Sequence, residues 1–98
     1  MYTLVIQDDV DKIFSKLKKK DVERLKAIEK KIMQILEHPY HFKPLKKPLH
    51  NIRRVHIDSS FVLAYTIDEA KKQVIILGFD HHDKIYKHGL VVVKPAEA

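Results

Sequence analysis

Two short stretches hold most of the side chains that could move a proton or grip a phosphate: "RRVH", Arg53 to His56, and "FDHHDKIYKH", Phe79 to His88. The second packs three histidines, two aspartates, two lysines and a tyrosine into ten positions. Histidine suits general acid or base work because its unperturbed pKa of about 6.5 keeps both forms accessible near neutrality. Arginine adds bidentate contacts to phosphate. Cutting RNA without a metal needs such a set: a base for the 2′-hydroxyl proton, cations for the phosphorane, and an acid for the departing 5′ oxygen. Tyr40, Phe42, Phe61 and Tyr86 could stack unpaired bases, worth about 1–3 kcal/mol per base where stacking occurs.

Each of these groups also has a plainer reading. His56 lies between apolar neighbours, where a hydrogen-bonded structural histidine is the default. Phe61, with Tyr2 and Phe14, could be core, and the lysines of "KLKKK" and "FKPLKKP" could be solvated surface. A metal site is disfavoured. His81 and His82 are adjacent, so on a strand their rings face opposite sides, and neither an H-E-x-x-H helix nor the paired spacing of a zinc motif occurs. The absence of cysteine removes thiolate sites and disulfides alike.

The elements that must position these residues follow from hydrophobic period. "YTLVI" reads as a strand, and Asp8 or Asp9 is placed to cap a helix whose stripe is Val10, Ile13, Phe14 and Leu17. Asp21 is placed to cap a second helix, striped by Val22, Leu25, Ile28, Ile32, Ile35 and Leu36 and stopped at His38-Pro39. "HPYHFKPLKKPLHN" has no period and reads as a long, function-bearing loop. "IRRVHI", "FVLAYTI" and "QVIILGF" then read as successive strands joined by polar turns. Alternation puts Arg54, His56 and Asp58 on one side of the first of these, and Arg53, Val55 and Ile57 on the other. If helices cover the apolar side, Arg54 and His56 stand on an open one, where the last strand could bring its histidines.

The expected architecture is an α+β two-layer domain, with an N-terminal strand and a helical hairpin packed on a mainly antiparallel sheet. Ninety-eight residues suffice for one domain, spanning 1–98, with 88–98 as an edge strand or a loose tail. Charged residues at 33% and only two glycines place the chain among folded proteins. No signal peptide or membrane span is evident, so a cytoplasmic protein is expected. The formal net charge of +6 favours a polyanionic partner.

Taken together, the order of elements with "HPYHFKPLKKPLHNIRRVHIDSSFVLAYTID" and "ILGFDHHDKIY" resembles the RelE/ParE superfamily of toxins from type II toxin-antitoxin systems, over nearly the whole chain to about Tyr86. In that family a loop of the form "NPxxFKPLKG" leads to a strand "YRxRxGDYRxxY", and a final strand ends in "HRKDVY". The loop here is close to that form and the strands are looser. "HIDSSFVLAY" looks more like the YafQ branch, in which a histidine opens the segment.

The resemblance implies a RelE-like fold and a ribosome-dependent endoribonuclease, an mRNA interferase that works without metal or cofactor. It also implies the partners: messenger RNA, the ribosome and a cognate antitoxin, with no membrane. The phosphate-binding arginine maps to Arg54, the YafQ-like catalytic histidine to His56, and the terminal histidine and aromatic to His82 and Tyr86. Lys84, Arg53, Phe61 and His81 are expected at the substrate, and Lys43, Lys46 and Lys47 on RNA backbone. Which of His56 and His82 is acid and which is base stays open. The departures are Ser60 and Phe61, where the YafQ branch has an acid and a tryptophan, and a missing second arginine. The alternatives are a ParE-like inhibitor of DNA gyrase, and a catalytically weak RNA-binding or antitoxin-binding module.

Overall fold

In the computed structural model, residues 2–49 and 51–81 are described. The chain runs β1 (Thr3–Ile6), α1 (Asp8–Lys20), α2 (Val22–Glu37), β2 (Ile52–His56), β3 (Phe61–Asp68) and β4 (Gln73–His81). One sheet holds the strands in the order β1-β4-β3-β2, with β1 parallel to β4 and the other two pairings antiparallel. The expected two-layer α+β arrangement is what forms. The proposed tail 88–98 lies outside the described residues.

Local chemistry accounts for the helices. Asp21 closes α1 and opens α2, its carboxylate accepting from the Arg24 backbone N–H at 3.1 Å. At the start of α1 the expectation is corrected: Gln7 occupies the cap position with no side-chain bond, and Asp8, Asp9 and Asp11 fall inside the first turn. There they still face the positive end of the helix dipole, as Lys18, Lys19 and Lys20 face its negative end. The α2 stripe buries Ile28, Ile32 and Ile35, whereas Val22 falls outside it and is exposed.

The main core lies between helices and sheet, where Val10, Phe14, Ile28 and Ile35 meet Val55, Leu63, Tyr65 and Ile76. The opposite side of the sheet is not the bare polar surface that alternation along "RRVH" suggests. Ile52, Val62, Ala64 and Leu77 are buried there, with Leu45 and Leu49 of the α2–β2 loop packed on them. Both central strands are apolar on both sides, so each side carries a core of its own.

One irregularity re-aims the end of β4. Ala64 pairs with Gly78 and Tyr65 with Ile76, which leaves Leu77 as an extra residue in a bulge. Strict alternation would group Phe79 with Ile75 and Leu77. The bulge instead leaves Leu77 on the far side with Ile75 and returns Phe79 to the helix side, with Ile76. A glycine beside the kink is the expected companion of such a break.

Candidate functional site on the far face of the sheet

In β2, Arg54 pairs with Ala64 and His56 with Val62, while Arg53 and Val55 pair with Tyr65 and Leu63. Val62 and Ala64 belong to the far cluster and Tyr65 and Leu63 to the helix-side core, so Arg54 and His56 share the far face and Arg53 lies opposite. Residues two apart on a strand are separated by roughly 7 Å, close enough for two long side chains to converge on one phosphate. His56 is exposed and Arg54 half-buried. Asp58 leaves the alternation. It sits beyond β2, where its carboxylate takes the backbone N–H groups of Ser60 and Phe61 and faces the Arg24 side chain. Those N–H groups, that of Ser60 above all, hold the Asp58 carboxyl below its usual range.

The β3–β4 register extends the row. Val62 pairs with Asp80 and Phe61 with His81. Asp80 is therefore on the same side as His56, two strands away at roughly 10 Å between backbones. Its carboxylate accepts the His81 backbone N–H at 2.7 Å. Sequence reading gave Asp80 no role, and its aim depends on the bulge, for which Gly78 is the one local signal.

The lysine-bearing loop is drawn onto the same edge. The Leu45 N–H donates to the Ile52 carbonyl at 2.9 Å, the Arg54 N–H to the Lys43 carbonyl at 3.4 Å, and Pro44 bridges to Arg53. Residues 43–45 thus run antiparallel along β2 through an isolated bridge at Pro44, with Lys43 opposite Arg54 and Leu45 opposite Ile52. Lys43, Lys46 and Lys47 are all exposed. Arg54 and Lys43 thus set two cationic residues beside His56 along the rim of the far face.

Arg53, Phe61 and His81 are placed on the helix side. Arg53 donates to the carbonyls of Phe42 at 2.6 Å and Tyr40 at 3.4 Å, and its guanidinium lies 5.0 Å from the centre of the Tyr40 ring. The Phe61 ring is stacked on Phe79 at 5.2 Å and carries the Arg24 guanidinium at 4.2 Å. His81 lies 4.7 Å from the same ring. These partners engage the faces of Phe61 that a base would need. His82, Lys84 and Tyr86 lie outside the described residues. Among the described residues no group of three His, Asp or Glu side chains comes together as a metal site would require, and no helix is long and apolar enough to cross a membrane.

A second polar cluster, which no local pattern of residues foretells, braces the opposite end of the sheet. Glu69 accepts from the hydroxyls of Tyr2 at 2.8 Å and Tyr40 at 2.7 Å, and pairs with Lys72. The Lys72 ammonium first, then the two hydroxyls, hold the Glu69 carboxyl down at about 2. Tyr65 is fully buried and donates to the Pro39 carbonyl at 2.6 Å, and burial pushes its hydroxyl up to about 12. The N-terminus, the loop after α2 and the β3–β4 turn are tied together here.

A helical hairpin on one side of a four-stranded mixed sheet defines the class to which this molecule belongs, the RelE-like toxin fold. A YoeB/ParE toxin from Agrobacterium tumefaciens superposes with a TM-score of 0.74 at 14% identity, covering 82% of this chain and 98% of that one. The RelBE2 toxin-antitoxin complex from Mycobacterium tuberculosis has a matching chain with a TM-score of 0.68 at 24% identity, covering 83% and 98%. The family model described as ParE toxin of type II toxin-antitoxin system matches residues 1–86, and the chain belongs to this RelE/ParE superfamily of toxins. The candidate toxin RelE4 of Methanocaldococcus jannaschii is 53% identical over 87 residues, 89% of this chain and 93% of that protein.

Proposed function

We propose that this toxin is a ribosome-dependent endoribonuclease that cleaves messenger RNA by acid-base chemistry, with its site on the far face of β2. The observation that supports this most is the arrangement of Arg54 and His56 on one side of one strand, beside a loop that brings Lys43 to the same edge. Arg54 and Lys43 neutralise the scissile phosphate and the charge that grows on it. His56 exchanges a proton with either the 2′-hydroxyl or the departing 5′ oxygen, and His82 does the converse. Tyr86 orients the nucleotide, and Lys84 adds a cation. The exposed Lys46 and Lys47 hold RNA backbone, with affinity that falls as salt rises. The site operates in the cytoplasm, where ribosomes and message meet.

The partner that restrains it is an antitoxin. A groove of about 550 Å³ between β1, α1 and α2 is lined by Leu4, Ile6, Phe14, Leu25, Met33 and Leu36. Met33 there is 58% exposed and Leu4 38%. An amphipathic helix with an acidic outer face fits an apolar groove on a chain of net charge +6. The Mycobacterium tuberculosis relative is itself seen as a toxin-antitoxin complex, which supports this reading.

A second reading has its own observation: the matching family model is that of ParE toxin. It makes the protein an inhibitor of DNA gyrase, a binding function that does not need His56. Primer extension on a defined message bound to ribosomes separates the two. New 5′ ends within the ribosome-covered codons are expected on adding the protein. Intact message together with blocked gyrase supercoiling would replace the first reading with the second.

A further inference from the structure

Arg53 and Arg54 are consecutive basic residues on a strand beside a candidate phosphate site, and both are expected near the substrate, Arg54 as the phosphate-binding arginine and Arg53 from the other side of the strand. Their surroundings differ. The Arg53 Nη1 donates to the Phe42 and Tyr40 carbonyls, and the guanidinium lies over the Tyr40 ring. Tyr40 is held in turn by Glu69, and the neighbouring Pro39 carbonyl by the buried Tyr65 hydroxyl. These contacts fix residues 39–42, the segment leading directly into Lys43, Pro44 and Leu45 on the edge of β2.

We propose that Arg53 is a positioning residue: it binds no phosphate, and it acts from the helix side of the sheet to hold the lysine-bearing loop in register beside Arg54. This rests on the RNA-binding reading given above and assigns one residue within it. The cost of ordering an exposed, lysine-rich loop is then met in the free protein, so Lys43, Lys46 and Lys47 meet RNA already placed. A bond from Arg53 to a main-chain carbonyl is indifferent to the RNA, whereas a phosphate ligand would add its own counterion term.

Two substitutions separate these roles. Arg53→Ala removes charge and contacts together. Arg53→Lys keeps the charge, but its ammonium ends one bond short of the Nη1 position and lacks the planar group over Tyr40. The probe is poly(U) RNA, titrated against each variant in the wild-type background and in one carrying Lys43→Ala, Lys46→Ala and Lys47→Ala. Amide exchange of the same proteins is followed at Arg54 and Leu45, which bond across the loop edge, and at Leu63 in β3.

Both Arg53 variants are expected to speed exchange at Arg54 and Leu45 and not at Leu63. Each should weaken poly(U) binding on the order of tenfold in the wild-type background and have no further effect once the lysines are gone. The proposal is overturned if Arg53→Lys binds like wild type while Arg53→Ala loses affinity equally in both backgrounds, the behaviour of a phosphate ligand. It is also overturned if Leu63 exchange rises with the others, the behaviour of a general structural residue. If the unmodified protein ignores poly(U), the RNA reading falls by itself. The exchange pattern then decides whether Arg53 holds the loop, unchanged Arg54 and Leu45 rates overturning it.

Discussion

The two sides of β2 are built to different ends. On the helix side, Arg53 and Val55 turn toward the protein, one bonding loop carbonyls and the other packing in the main core. On the far side, Arg54 and His56 flank a smaller apolar cluster and come to the rim, His56 exposed. A strand places successive residues in different environments at no backbone cost. The lesson is that basic residues one position apart can divide into scaffold and candidate site, and only the pairing partners reveal which is which.

If that division is right, substitutions on the two sides should fail differently. The largest effect is expected for His56→Ala, which should lower message cleavage by about 10²–10⁴-fold, the usual contribution of a positioned acid or base, while leaving the melting temperature close to that of the wild type. Cleavage kinetics beside a thermal melt would check this, and a large fall in melting temperature would blur the comparison. On the helix side the converse holds. Leu63→Ala empties part of a fully buried position and should cost about 2–5 kcal/mol by denaturant titration. A cost well below that range would mean that the main core repacks around the loss.

Tyr65→Phe sharpens the same side. It removes a buried 2.6 Å bond and leaves the Pro39 carbonyl short of a partner, for an expected loss of about 1–3 kcal/mol. A neutral result would show that the loop after α2 does not depend on this anchor. The smallest effect is expected at Glu69. Its folded carboxyl titrates at about 2 against an ordinary value of 4.5, so its stabilisation is complete above 4.5 and is lost as pH falls toward 2. Acid unfolding of Glu69→Gln should show less pH dependence in that window than the parent. Matching slopes would mean that the exposed cluster is screened to insignificance.

Much of the fold was legible because it is written in short-range patterns. The α2 stripe, the Asp21 cap and the stop at Pro39 are set by residues three or four apart, and the three strands after the loop by period two. Arg54 and His56 on a common side followed from the same alternation. Distant encounters were not legible. The parallel pairing of Thr3 with Gln73 and the meeting of Tyr2, Tyr40 and Glu69 join segments whose local sequences carry no mark of each other. The bulge at Leu77 escaped because a single extra residue reverses side-chain facing and changes little in composition. The contacts of Arg53 escaped for a related reason: alternation gave its side, but not the loop carbonyls it meets there.

The central claim is that histidine chemistry on this scaffold cuts message on the ribosome. The most direct test carries His56→Ala and His82→Ala together in an otherwise intact toxin, assayed on the same programmed ribosomes as wild type. The expected result is that the new 5′ ends disappear and translation resumes while the variant still binds. Continued arrest with the same cleavage pattern would contradict the claim, because neither histidine could then be the acid or the base.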